Sequence, residues 1–296
     1  MYCRHADETA RVRLMARGAL AGRGFPVSGE VVGPVASLWR YPVKSMMGEE
    51  LNATVFTPKG LLGDRACALL DVATGKVVSA KNPRKWGRMF DFRAAYVSPP
   101  TPGEPLPGVR VTFPDGTILS SDRDDVGMAA SQLFGHHLRF LNAAPETPRL
   151  EEYWPDIEGL AFQETVTDEA MPHETFFDAS PVLVLTTSTI DALREAYPQG
   201  RVEIRRFRPN VVIAPSERGF VENRWVGRTL QVGSEVVLRV DKPCGRCVMT
   251  TLPQGDLPQD YGILKAAAKH NGANVGVYAS VVRGGTVRRG DSVHLA

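Results

Sequence analysis

Through most of the chain apolar and polar residues alternate in short runs, the period of two expected for strands with one buried face. Residues 31–43 form a β-branched run with Gly33 and Pro34 near its start, and this predicts a strand that ends at Tyr41-Pro42. Runs 65–72 and 76–80 flank Ala73-Thr74-Gly75, and 109–113 faces 117–120 across Pro114-Asp115-Gly116, so two hairpins are expected. Later runs at 181–186, 202–207, 211–214, 230–232 and 235–240 are short strands separated by turn residues. Their close spacing suggests a barrel. A last hairpin is expected from 275–282 and 287–295 around Arg283-Gly284-Gly285. Three segments carry a helical pattern instead: 124–137, capped by Ser121 or Asp122; 189–197, with Ser188 and Asp191 as a capping-box pair; and 259–269, stopped by Asn271-Gly272. The proline-rich stretch 99–107 reads as an exposed loop. No internal repeat and no strand-helix alternation occurs, which disfavours a Rossmann fold and leaves a β-rich α+β class.

Composition narrows the picture. The 296-residue chain is 43% hydrophobic and 23% charged, as a folded globular protein should be. With 35 Lys and Arg against 33 Asp and Glu, the net charge of +2 gives no broad footprint for nucleic acid or an anionic membrane surface. No apolar run approaches the roughly 18 residues of a membrane span. Residues 1–30 read as an N-terminal extension and a candidate for disorder. Arg4, Arg11, Arg13, Arg17 and Arg23 lie in it without a signal-type apolar core, leaving a mitochondrial transit peptide or a misassigned start as alternatives. Four cysteines, Cys3, Cys67, Cys244 and Cys247, are too few and too unevenly placed for a disulfide framework, so a reducing cytoplasm is the expected location.

The chemistry concentrates at Cys244-Gly245-Arg246-Cys247, in a connection that leaves a strand. A structural zinc site needs a second ligand pair, and the histidines offer none. A redox dithiol would open a helix, whereas β-branched and turn residues follow here; two ordinary buried cysteines remain an open alternative. Cationic neighbours, Lys242 and Arg246 beside the pair and Arg205, Arg206 and Arg208 upstream, favour a thiolate and could accept an anionic ligand. A soft sulfur ligand next to anion-binding groups would let one pocket hold a soft metal and an anionic cofactor, a generic combination. The chain has no Gly-x-Ser-x-Gly elbow, dinucleotide glycine fingerprint or ferredoxin-type cysteine run, and no companion signals for pyridoxal phosphate around Lys44.

Tyr41-Pro42-Val43-Lys44-Ser45, Asp64-Arg65, Arg206-Phe207-Arg208-Pro209-Asn210, and Cys244-Gly245-Arg246-Cys247 with Thr250-Thr251 occur in that order. Together they resemble the MOSC-domain proteins, named for the C-terminal domain of molybdenum cofactor sulfurase, and among them the mitochondrial amidoxime-reducing component and its bacterial relatives. The resemblance runs from about residue 31 to the C-terminus. It implies a MOSC β-barrel domain over 146–296, an N-terminal β-rich domain over 31–145, and a molybdenum-pterin cofactor between them. It also implies that Cys247 ligates the metal as the catalytic residue, with Arg246 beside it and Cys244 not a ligand. Lys44, Ser45, Arg65, Arg208 and Asn210 would hold the pterin and its phosphate, with Thr186 as a further phosphate contact. The activity implied is reduction of N-hydroxylated compounds. Electrons would come from a separate donor such as a ferredoxin, a flavin reductase or a cytochrome b5-like protein. A cofactor carrier or sulfur-transfer protein, passing a persulfide through Cys247 or Cys244, is the alternative.

Overall fold

The computed structural model describes residues 29–296. The arginine-rich extension, with Cys3, lies outside the described residues apart from its last two positions. Seven strands close into a barrel: β1 (Glu30–Arg40), β2 (Val182–Thr186), β3 (Val211–Ile213), β4 (Thr229–Val232), β5 (Val236–Gly245), β6 (Asn274–Arg283) and β7 (Ser292–Leu295). Around the ring the order is β1-β3-β2-β6-β5-β4-β7 and back to β1. Neighbours are antiparallel except β2 and β3, which run parallel because helix Thr187–Ala196 lies in the crossover between them. Closure removes the unpaired edges that a flat sheet would expose. The long first strand makes it possible: Glu30 and Pro34 pair with Leu295 and Ser292 of β7, while Val35 and Leu38 pair with Ile213 and Val211 of β3. Alternate residues such as Leu38, Leu238, Val240, Val277 and Val293 fill the interior.

Between β1 and β2 the chain builds three small antiparallel sheets. Arg93–Tyr96, Val109–Thr112 and Ile118–Ser120 form one; Lys76–Val77, Ala68–Asp71 and Leu138–Leu141 another; Arg149–Trp154 and Thr165–Ala170 the third. Their main core holds Trp86, Met89, Phe90 and Phe92, and it also takes in Val248, Met249 and Leu252 from beyond β5. Apolar residues from the far end of the chain thus fasten this lobe to the barrel, and the seam between them is where the conspicuous motifs meet.

Several expected elements differ. Residues 202–207 are not a strand; Ile204–Phe207 is a 3-10 turn. Arg206 is fully buried there and donates to the carbonyls of Arg201, Leu252 and Pro258 at 2.9, 3.0 and 2.8 Å, a set of partners that an extended ladder would not offer it. The last hairpin does not form either. β6 lies between β2 and β5, and the strand after it, Gly285–Arg288, pairs with Ala53–Thr57. Gly284 permits that turn, since a Cβ there would sit 2.5 Å from the Phe56 carbonyl oxygen. Helix Val126–Phe134 is capped by Asp125, not by Ser121 or Asp122, and helix Thr187–Ala196 by Thr186 rather than Ser188. Helix Tyr261–Asn271 ends, as expected, on left-handed Gly272.

Candidate functional site

As β1 ends, Tyr41-Pro42-Val43-Lys44-Ser45 is laced to the turn at Asp64-Arg65. Tyr41 N–H donates to Asp64 Oδ1 at 2.7 Å, Arg65 N–H to the Tyr41 carbonyl at 2.7 Å, and Lys44 N–H to the Cys67 carbonyl at 2.9 Å. Ser45, Arg65 and Arg208 all adopt left-handed backbone, with φ of 64°, 48° and 53°. Non-glycine residues rarely accept that conformation, and half of the six among the described residues line this one cavity.

The cavity is an open cleft at the seam, enclosing about 720 Å³ counted to its mouth. Lys44, Arg65, Lys81, Arg206, Arg208 and Arg246 contribute to its wall, against one carboxylate, Asp178. Lys44 is buried and donates to Asp178 Oδ1 at 2.5 Å and to the Phe176 carbonyl at 2.9 Å. Burial pulls the Lys44 pKa down, partly offset by Asp178. Burial raises Asp178, but Lys44 and Lys81 outweigh it and hold that carboxyl well below the usual range. Arg65 is paired with Asp64 and donates to the Arg208 carbonyl at 3.2 Å. Arg208 stacks 4.2 Å from the Tyr41 ring centroid and donates through Nη1 to the Met46 carbonyl at 2.7 Å. Its Nη2 is buried with no protein partner, and burial, then Arg65, lowers its pKa to about 10. That leaves a buried guanidinium donor that an anion in the cleft could satisfy.

Cys247 lies at the inner wall. It follows the end of β5 and precedes the 3-10 turn Val248–Thr251, whose Val248 and Met249 are anchored in the N-terminal lobe. Arg246 fixes the approach by donating to the carbonyls of Val275 at 2.8 Å and Phe207 at 2.9 Å. The expected thiolate is not what the pocket favours on its own: burial pushes the Cys247 thiol up to about 12, Glu152 adds to that, and Lys81 opposes it. Such a thiol is a poor free nucleophile but still a metal ligand, because coordination removes the proton. Cys244 is fully buried and outside the cleft wall, and Cys67, Cys244 and Cys247 are all free. Among the described residues no group of three or more His, Cys, Asp or Glu could hold a metal ion. A metal here would depend on one protein thiolate and on ligands that its cofactor brings.

The structure gathers Lys44, Ser45, Arg65, Arg208, Asn210, Arg246 and Cys247 around this cleft. Asn210 also joins two barrel strands, accepting from Leu183 N–H at 3.0 Å and donating to the Trp39 carbonyl at 3.3 Å. Thr186 is not there: its hydroxyl caps the helix and donates to buried Glu222 at 2.7 Å. Lys242 is exposed, turned outward by irregular register on either side of it in β5. Arg205 is held by Glu203 and Asp256. Sequence reasoning missed Lys81, Asp178 and Tyr278. Lys81 donates to Glu152 at 2.9 Å, and Asp178 and other nearby anions, against burial, keep it firmly charged. Only its place directly after a buried hairpin strand could have flagged it.

Fold and cleft together define a barrel protein with an anion-accepting, single-thiol site at a lobe seam. Residues 172–294 match the MOSC domain model and 32–124 the MOSC N-terminal beta barrel domain model, and the chain belongs to the MOSC-domain family. It is similar to mitochondrial amidoxime reducing component 2 of Macaca fascicularis, 25% identical, with 89% of this chain and 83% of the relative covered. To mitochondrial amidoxime-reducing component 1 of Mus musculus it is 26% identical, covering 89% and 82%. Among solved structures the YuaD protein from Bacillus subtilis aligns with a TM-score of 0.45 at 11% identity, covering 89% of this chain and 95% of that one. The cytoplasmic expectation is corrected by these relatives, which are mitochondrial by name. Free cysteines separate reducing from oxidising compartments and cannot tell one reducing compartment from another. Among the described residues no helix is long and apolar enough to cross a membrane.

Proposed function

We propose that this protein is a molybdenum-cofactor-binding oxidoreductase that reduces N-hydroxylated compounds with electrons from a separate donor protein. The carrying observation is one half-buried thiol in a cleft whose wall sets six cations against one carboxylate. Cys247 would hold the metal. Lys44, Ser45, Arg65, Arg208, Asn210 and Arg246, joined by Lys81, would hold the pterin and its phosphate; Thr186 is left out because its hydroxyl is committed to the helix cap and Glu222. The fit rests on the unpartnered Nη2 of Arg208 and on a thiol that burial keeps protonated until a metal takes it. When bound, the cofactor would supply two-electron reduction of an N–O bond, with amine and water as products. The chain's part is to keep the cleft positive, hold the ligand rigidly between two lobes, and limit water at Cys247.

Sulfur transfer is the weaker reading, because a relay cysteine needs an accessible low-pKa thiolate. The lobes are proposed to divide near residue 145 in sequence, with two exchanges across that point: β1 belongs to the barrel, and the sheet of Arg149–Trp154 and Thr165–Ala170 packs on the first lobe through Leu150, Tyr153 and the adjoining Met171. A mitochondrial location is taken over from the relatives, and fractionation of tagged full-length protein checks it. The first experiment is molybdenum by mass spectrometry and pterin by fluorescence after oxidation, on protein from a cofactor-replete host and on Cys247→Ser. Near-stoichiometric metal and pterin in the parent, with molybdenum lost from the variant, supports the reading, and donor-driven turnover of an amidoxime separates enzyme from carrier. Well-folded parent protein without either component would overturn it.

A further inference from the structure

In the run Tyr41-Pro42-Val43-Lys44-Ser45, Lys44 and Ser45 line the cleft; Tyr41 does not, although it is only 2% exposed. Its ring instead meets two of the cleft's arginines. The Arg208 guanidinium stands 4.2 Å and that of Arg65 4.8 Å from the ring centroid. The backbone that carries the ring is pinned at both ends, Tyr41 N–H donating to Asp64 Oδ1 and the Tyr41 carbonyl accepting from Arg65 N–H, each at 2.7 Å. Gly48 closes off the ring edge, since a Cβ there would sit 2.6 Å from Tyr41 Cδ1. The hydroxyl, by contrast, is buried with no partner. Burial holds it protonated well above the usual phenol range, against the pull of Arg208 and Arg65, so no phenolate balances the two cations. Asp64 is paired with Arg65, and among the described residues Arg208 has a carbonyl and the aromatic faces of Tyr41 and Phe90 as partners in place of a carboxylate.

We propose that Tyr41 is a positioning residue for anion binding in the cleft: its aromatic face, and not its hydroxyl, holds the Arg65 and Arg208 guanidiniums together as one anion-accepting set. The assignment rests on the cleft taking up an anionic group, as the function proposed above requires. Two buried guanidiniums in one neighbourhood repel each other, and before an anion arrives something neutral must keep them from parting. A π face does this, because its electron-rich centre attracts a cation without competing for the N–H donors that the anion will use. The Nη2 of Arg208 is left free in just this way, with Nη1 on the Met46 carbonyl and the ring against the guanidinium plane's carbon. Without the ring, the anion would have to bring the two cations together itself, and that cost would appear as lost affinity.

The test is calorimetric titration with inorganic phosphate of the full chain, purified from a host that makes no pterin cofactor. Tyr41→Phe keeps the face and removes only an unpartnered hydroxyl, so phosphate affinity should stay within about twofold of the parent and the urea midpoint should hold or rise. Tyr41→Leu removes the face and should bind phosphate about tenfold more weakly. In an Arg208→Met background the same Leu substitution should cost only about threefold, because one of its two contacts is already gone. A Phe variant that loses affinity as the Leu variant does would put the hydroxyl on the ligand and overturn the assignment. So would unchanged phosphate binding in Tyr41→Leu, a tenfold loss undiminished by Arg208→Met, or a parent with no phosphate affinity. Molybdenum and pterin, measured on protein from a cofactor-replete host, report the function separately. Protein that stays metal-free yet shows this phosphate pattern keeps the assignment and sinks that reading, whereas a loaded parent with unchanged phosphate binding in Tyr41→Leu sinks the assignment alone.

Discussion

In the barrel each strand has at least two hydrogen-bonded neighbours, and the core is mostly Val and Leu, with Phe56, Ile213 and Trp225, almost without accessible surface. One or two residues beyond the strand ends, where β1 runs into Tyr41 and β5 into Cys247, the same chain turns left-handed at non-glycine residues, buries arginine and lysine, and leaves a guanidinium nitrogen unpartnered. Apolar closure stabilises the first region with nothing left over for a ligand. The second carries left-handed backbone and an unmet donor that apolar packing does not offset, and the rigidity of the first is what lets them persist.

Substitutions can break this contrast or sharpen it. Leu238→Ala, in the barrel interior, should lower stability by about 3 kcal/mol in urea unfolding while leaving cofactor content per folded molecule unchanged. A parallel loss of cofactor would mean that the two regions are not separable. Cys247→Ser should do the reverse: turnover with a strong electron donor falls at least about 100-fold, and the melting temperature stays close to that of the parent. Arg208→Met removes a buried charge with an unmet donor, so pterin retention should fall by roughly tenfold while urea stability holds or rises by about 1 kcal/mol. A large destabilisation there would make Arg208 a structural residue.

The smallest expected effect concerns acid. Because the Asp178 carboxyl is lowered in the folded state, its contribution is fully present above the unfolded value of about 4 and is lost as the pH falls below it. The urea midpoint of the parent should therefore drop more steeply below about pH 4 than that of Asp178→Asn. Identical slopes would show that the Lys44–Asp178 contact adds nothing to stability.

Local signals were read from the sequence correctly where the structure is itself local. Pro114-Asp115-Gly116 turns the strand Val109–Thr112 back onto Ile118–Ser120, and Gly272 stops its helix. Partner choice was not legible. Gly285–Arg288 looks like the return arm of a hairpin, yet its partner is Ala53–Thr57, because a strand's pattern fixes which face is buried and not which neighbour it meets. The same limit governs the site. Cys247, Arg208 and Lys44 stood in recognisable motifs, whereas Lys81 and Asp178 carry no motif and reach the cleft only through tertiary packing. Lys242 shows the opposite error: adjacency in sequence suggested a neighbour of the thiol, and the uneven register of β5 turned it to solvent.

The pairing of Glu30 with Leu295 also sets an order of events during synthesis. On a ribosome β1 emerges well before β7 exists, so the barrel's first stave must wait with one edge bare while everything between them is translated. Contacts so distant in sequence make for slow closure and a lengthy interval in which that edge can recruit a wrong partner. Chaperone demand for this protein should therefore fall on the nascent chain, before the ring has shut.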